Sequence, residues 1–289
     1  MAHPQIAAFA RLAKENSQPN RLIAGQKTLL ARTMHDIRYD AVHDEFIVTN
    51  PFSQAIMVFR GGANGEEAPL RVIIGPKTQL YNSGAAGGID RADVDPVHNE
   101  IYVATGDGIM VFPREANGDV APIRIIKGPD TRLRGAGTLA VDPVNNLIVV
   151  GGNLGRPGQR RQASEGEEGG GGGMLTFNRT ASGNAKPQTV IFGPKTAIVR
   201  INQIQVYSPK GWIVATQPGK GDEQEPEGVF VGVWSIRDNG DVAPRWKIGG
   251  PKSAMKKPRG VVLDPKHKEL IVADMRLNSV LTYYFPEIF

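Results

Sequence analysis

His35, Asp36 and Arg38 lie within four consecutive positions. An imidazole oriented by a neighbouring carboxylate is a candidate general base. His35 has no counterpart elsewhere in the chain's repeats, and a purely structural His35 is the competing reading. With Arg91 and Asp93, these three make up the candidate catalytic set. A second group is rich in side-chain oxygens: Asn50, Asp90, Asn153, Asn202 and Asp274. Oxygen ligands suit calcium or another hard divalent cation, and Asp90, Asn153 and Asp274 are the metal candidates. Against this, Asn and Asp populate loops because their side chains bond to nearby backbone. His43, His98 and His267 recur at equivalent repeat positions, which marks them as features of the fold. No serine or tyrosine stands in a recognisable nucleophile context. The absence of cysteine excludes disulfides, thiol catalysis and cysteine-based zinc sites, and leaves the compartment open.

The elements that would position these residues repeat. The phrase Ala116-Asn117-Gly118-Asp119-Val120-Ala121-Pro122 recurs at Ala63 to Pro69 and Asp238 to Pro244, and more loosely at Ala181 to Pro187. Each copy then reaches Gly-Pro, at Gly75, Gly128, Gly193 and Gly250, at intervals of 53, 65 and 57 residues. A period near 50 built from short apolar runs signals a repeat architecture. One unit reads as four strands, a to d from the inside outwards: Ala92–Asp95, a turn at Pro96, Glu100–Thr105, a hairpin at Gly106-Asp107-Gly108, Ile109–Phe112, the Asn-Gly loop, and Ile123–Ile126. Four hairpin-joined strands at this period make one blade of a β-propeller.

Five a–b–c sets are present, with first strands at Asp36–Asp40, Arg91–Asp95, Thr138–Asp142, Gln203–Tyr207 and Gly260–Asp264, but only four d strands follow them. The N-terminal stretch Ile6 to Phe9 and Pro19 to Gly25 matches Ile56 to Phe59 and Pro69 to Gly75 without a gap. It is therefore a c–d hairpin, despite the helix propensity of Ala7 to Leu12. Pairing it with the C-terminal strands would close the ring and remove exposed edges. The total of 21 strands exceeds by one c strand the 20 of five four-stranded blades; six blades would need 24 and fit only if irregular. The expectation is a five-bladed, all-β propeller in a single domain over 1–289. Side chains alternate along a strand, so Ile37 and Tyr39 and their counterparts face a core. Arg38, Arg91, Asp93, Gln203 and Gln205, with Asn50, Asn202 and Arg259 near the channel mouth, are the candidate ligand-binding residues.

The repeat resembles the NHL family of propellers, and in particular bacterial proteins carrying units like Ile109-Met110-Val111-Phe112-Pro113 followed by Ala116 through Thr131. The resemblance covers nearly the whole chain apart from the insertions and is specific for fold. Proteins of that architecture include lyases, lactonases, peptide-amidating enzymes and pure interaction modules, so it does not choose a function. The sugar lactonases imply a divalent cation held by channel-mouth Asn, Asp and Glu, and the virginiamycin-type lyases imply a channel His acting with a metal; His35 is the one residue here that matches.

Two b–c connections are long and of low complexity, 154–173 and 217–227, and read as flexible loops on one face. The glycine run leads into a strand rather than a helix, which excludes a phosphate-binding loop. The net charge of +5 permits an anionic partner, but the basic residues are spread through the repeats, with Arg71, Arg124 and Arg245 on outer strands, and form no nucleic-acid stripe. No apolar run is long enough to span a membrane. The chain enters its first repeat strand by Ile6, as a mature extracytoplasmic domain with its leader removed would. The function expected is a non-enzymatic binding module, acting on a protein partner or on itself through the surplus edge strand. The alternative is a metal-dependent lactonase or lyase with its site at the channel mouth, acting on a small molecule.

Overall fold

The computed structural model describes residues 4–32, 34–80, 89, 91–133, 135–154, 171–219 and 228–289, with the backbone alone at Asn153. The protein is an all-β propeller with five blades. A two-stranded hairpin, β1 (Gln5–Ala8) and β2 (Arg21–Ala24), comes first. Blade 1 is β3 (Asp36–Asp40), β4 (Glu45–Asn50), β5 (Ala55–Arg60) and β6 (Arg71–Ile73). Blade 2 is β7 (Ala92–Asp95), β8 (Glu100–Ala104), β9 (Gly108–Pro113) and β10 (Arg124–Lys127). Blade 3 is β11 (Ala136–Asp142), β12 (Leu147–Asn153), β13 (Gly172–Asn178) and β14 (Thr189–Ile191). Blade 4 is β15 (Ile204–Tyr207), β16 (Trp212–Pro218), β17 (Val229–Ser235) and β18 (Trp246–Gly249). Blade 5 has three strands, β19 (Pro258–Asp264), β20 (Glu269–Asp274) and β21 (Ser279–Tyr284). Strand order within each blade is the order along the chain, as successive hairpins require. No described helix is long and apolar enough to cross a membrane.

The chain divides into two compact units, Met1–Thr105 with Met110–Ile123, and Gly106–Ile109 with Arg124–Phe289. In the first, the hairpin adopts the expected register, Ile6 opposite Ile23, as Ile56 stands opposite Ile73 in blade 1. In the second, the strands run further into the glycine-rich connection than its composition suggests. Gly172 and Gly173 belong to β13, and Gln217 and Pro218 pair with Phe230 and Val229. Gly173 is buried where an added Cβ would lie 2.7 Å from Leu154 and from the Ile191 carbonyl, so glycine is there for close packing. The rest of the two expected loops, 155–170 and 220–227, lies outside the described residues.

The aromatic that ends each c strand anchors the blade: Phe59, Phe112, Phe177 and Trp234 are all at most 1% exposed. In the second unit the apolar residue of the a strand packs on the blade before it in blades 4 and 5. Ile204 joins Ala140, Val149 and Met174 of blade 3, and Val261 joins Val214 and Val231 of blade 4.

The repeated Asn-Gly phrase has a mechanical explanation. Its glycine adopts positive φ (65° at Gly65, 76° at Gly118), a conformation only glycine reaches without strain. The loop thereby reaches the d strand of the preceding repeat: Gly65 bridges Ile23, Gly118 bridges Ile73, Gly183 bridges Ile126 and Gly240 bridges Ile191. The asparagine carbonyl accepts a main-chain N–H from that same strand, Asn64 from Leu22 (3.0 Å), Asn117 from Val72 (2.9 Å) and Asn239 from Val190 (2.9 Å). The acid two positions on accepts the N–H of the Gly-Pro-Lys turn, Asp119 from Lys77 (2.6 Å) and Asp241 from Lys195 (2.7 Å). The motif is therefore a staple between consecutive repeats. Asn117→Ala should lower the unfolding free energy by about 1 kcal/mol, the net worth of one such bond. Urea denaturation checks this, and an unchanged midpoint would show that the side chain does not hold the strand.

Candidate functional site

The alternation along β3 is real, but it runs opposite to the expectation that apolar residues face a core and polar ones a channel. Asp36 and Arg38 are buried, whereas Ile37 and Tyr39 are exposed. The reason is the neighbouring strand β7, which covers the polar side. Arg38 Nε donates to Asp36 Oδ2 (3.2 Å) and to the Ala92 carbonyl (3.1 Å), and lies 4.0 Å from Asp93. Asp36 Oδ2 also accepts the Ala92 N–H at 3.4 Å. Burial works against the charge of Arg38, but Asp36 and Asp93 outweigh it and hold the guanidinium pKa above its ordinary value. Arg91 donates to the carbonyl of His35, whose side chain is exposed. His35, Asp36, Arg38, Arg91 and Asp93 are thus brought together, in a network that ties blade 1 to blade 2.

Gln203 occupies in blade 4 the register position that Asp36 holds in blade 1. Its Oε1 accepts the Val261 N–H of β19 at 2.6 Å, just as Asp36 accepts that of Ala92. The two links join consecutive a strands by the same device, which pairwise spacing in the sequence does not reveal. Gln205, Asn202 and Arg259 are half-buried on or beside the a strands of blades 4 and 5.

The metal candidates fare unevenly. Asp90 lies outside the described residues, and Asn153 contributes its backbone to the end of β12. Asp274 is buried, and its carboxylate is committed to main-chain donors. Oδ2 accepts from Lys256 (2.7 Å) and Lys257 (2.9 Å), and Oδ1 from Arg276 (3.0 Å) and Leu277 (3.2 Å). Gln217, at the same register position in blade 4 and absent from the sequence-derived candidates, accepts from Val199 (2.8 Å) and Arg200 (3.2 Å). Asn50 at the equivalent position in blade 1 is buried and accepts from Ser53 (3.3 Å). These b-strand ends hold loops in place. Four acceptor bonds on one carboxylate leave Asp274 poorly suited to a cation.

The turn histidines behave as repeat features. His43 Nδ1 lies 2.7 Å from Asp40, His98 Nδ1 2.7 Å from Asp95 and His267 Nδ1 2.6 Å from Asp264, and in blade 3 Asn145 bonds Asp142 at 2.7 Å. In blade 5 the ligand atoms of Asp264, His267 and Glu269 lie within 4.8 Å of one another. The same Asp–His contact locks the turns of blades 1 and 2, so the turn accounts for it. The outer-strand basic residues are occupied too. Arg71 pairs with Glu45 (2.9 and 2.6 Å), Arg245 with Asp238, and Arg124 reaches the Arg179 carbonyl (3.4 Å).

Arg38→Ala should destabilise the fold by about 3 kcal/mol or more, because it strands the buried Asp36 carboxylate; a loss below about 1 kcal/mol in urea denaturation would contradict the structural role. Glu45 gives a pH signature. Burial pulls its pKa up, but the bonds from Arg71 and Arg114 prevail and hold it below its ordinary value. A lowered folded pKa adds stability that is present above the unfolded pKa and lost as pH falls through the folded one. Stability should therefore decline on acidification below the ordinary carboxylate range, and Glu45→Gln should flatten that decline; parallel profiles for the two proteins would contradict it. Comparison with known proteins leaves the argument to the geometry: the chain matches no protein-family model and no curated protein.

Proposed function

We propose that this protein is a non-enzymatic interaction module that associates with further copies of itself through its terminal blades. The observation that carries this reading is apolar surface left exposed at positions that the other blades bury. Ile37 is 49% exposed, whereas its register equivalents Ala92, Leu139, Ile204 and Val261 are at most 3% exposed. Beside it, Tyr39 is 59% exposed. On blade 5, Val262 is 49% and Val280 65% exposed, whereas Ala140, the counterpart of Val262, and Met174 and Val231, the counterparts of Val280, are at most 1% exposed.

In the second unit these two kinds of face bury each other at each contact between consecutive blades, as Ile204 does on blade 3 and Val261 on blade 4. The exposed faces of blades 1 and 5 carry the residue types that meet at those contacts. A second copy presenting one to the other would bury both, and each large apolar side chain covered contributes about 1.5–3 kcal/mol. Such a contact is heterologous, so repeated addition builds rings or open chains.

The bonding of Asp36, Arg38 and Gln203 between blades, and of Asp274 to four main-chain N–H groups, also favours a structural role for the residues best suited to chemistry. It weighs against the alternative of a metal-dependent lactonase or lyase.

Size-exclusion chromatography with light scattering over a range of concentrations tests the proposal. Species larger than one chain should grow with concentration, and Ile37→Lys should shift them back to monomer without lowering the melting temperature. A monomer at every concentration would sink it.

A further inference from the structure

The chain has three Asn-Gly pairs, at Asn64, Asn117 and Asn239, and all three sit in the loops that staple consecutive repeats. One residue of the preceding outer strand holds both members of each pair. Leu22 donates its N–H to Asn64 Oδ1 (3.0 Å), and its carbonyl accepts the Gly65 N–H (2.8 Å). Val72 does the same for Asn117 (2.9 Å) and Gly118 (2.7 Å), and Val190 for Asn239 (2.9 Å) and Gly240 (2.6 Å). The asparagines are exposed, and a Cβ added at any of these glycines would meet nothing within 4 Å, so water has access to each pair. The fourth loop has Ser182 before Gly183 and lacks the amide.

An Asn-Gly pair carries its own reaction. The glycine nitrogen, unhindered by a Cβ, attacks the asparagine Cγ. The N–Cγ bond forms, the Cγ–Nδ2 bond breaks, and Nδ2 leaves as ammonia with the proton given up by the glycine N–H. Water then opens the cyclic imide. Attack at Cγ leaves aspartate, and attack at the main-chain carbonyl leaves isoaspartate, in which the backbone runs through Cβ and Cγ. While the staple is closed, the glycine N–H and the asparagine carbonyl are both bonded to one strand residue, so attack requires their release. The reaction therefore waits on local opening. The three staples differ in what they hold. Those at Asn117 and Asn239 hold β6 and β14, each the outer strand of a four-stranded sheet. That at Asn64 holds β2, in a sheet of two strands, and a two-stranded hairpin is marginally stable.

We propose that Asn64 is a site of spontaneous deamidation, reached by opening of its staple ahead of Asn117 and Asn239, and that isoaspartate formed there releases β2 from blade 1. This does not depend on self-association. Isoaspartate lengthens the backbone by one atom between position 64 and Gly65 and moves the free carboxylate onto Cα. The N–H and carbonyl of Gly65 then no longer match the Leu22 carbonyl and the Ala24 N–H, which they now meet at 2.8 and 3.1 Å. Aspartate keeps an oxygen on Cγ and an unaltered backbone, so it holds the staple.

Peptide mapping by mass spectrometry tests this on the full chain, incubated at mildly alkaline pH below its melting temperature. Asn64 and Asn117 share the sequence Ala-Asn-Gly, so a difference between them reports the fold. In the folded protein Asn64 should convert about tenfold faster than Asn117 or Asn239. In urea that unfolds the chain, Asn64 and Asn117 should convert alike, with Asn117 faster than when folded by on the order of 100-fold, the worth of about three such bonds. If Asn117 keeps pace with Asn64 in the folded protein, the order of opening is overturned; if neither speeds up on unfolding, gating by the staple is overturned. The isoaspartate form, separated by chromatography, should lose hydrogen-exchange protection in peptides covering β2, whereas Asn64→Asp, measured fresh, should keep it. Protection retained in the isoaspartate form, or lost equally in Asn64→Asp, would overturn release by backbone lengthening.

Discussion

The structure depends on the grip of each Asn-Gly loop on the outer strand of the repeat before it. A blade is a small twisted sheet with apolar residues on both faces, and one repeat cannot bury them alone. The loop fixes where the next blade sits by bonding backbone to backbone at its glycine and side chain to backbone at its asparagine. Once that spacing is set, the a-strand apolar residue meets the preceding blade, and the polar residue beside it meets an N–H of the next a strand. The Asp36 and Gln203 links follow from this placement. So do the carboxylate and amide pins at Asp274 and Gln217, which hold the loops that lead into the next strand.

Blades 1 and 5 carry exposed apolar residues at positions where other blades bury theirs. Ile37 and Tyr39 on blade 1 and Val262 and Val280 on blade 5 keep residue types that other blades bury. The molecule has blunted the edge of blade 5 in part. After β21 the chain tucks Phe285 and Phe289 against Trp212, Trp246 and Tyr207, buries Ile288, and closes with a single 3-10 turn at Pro286–Ile288. This covers the place where a c–d loop would begin, yet leaves the outward face of β21 exposed. Edge strands of this kind are the usual templates for pairing with another chain.

The fold was legible because its signals are local and repeated. The hairpin at the N-terminus, the turn histidines and the surplus c strand all follow from alignment of the chain with itself. The candidate site was less legible, for a physical reason. Alternation separates the two faces of a strand but does not say what covers each face. In β3 the polar face is the covered one, because β7 lies over Asp36 and Arg38, while Ile37 and Tyr39 are exposed. Asp274 and Gln217 illustrate the same limit. Their residue types suit a ligand site, and only the approach of a distant loop backbone shows that their acceptor capacity is taken.

Hydrogen exchange measured at low and high protein concentration tests the central claim most directly. Self-association through the terminal blades predicts that amide protection in peptides covering β1 and β3 rises with concentration, while peptides from the buried β12 and β16 exchange alike at both. Protection that is independent of concentration throughout the chain would contradict it.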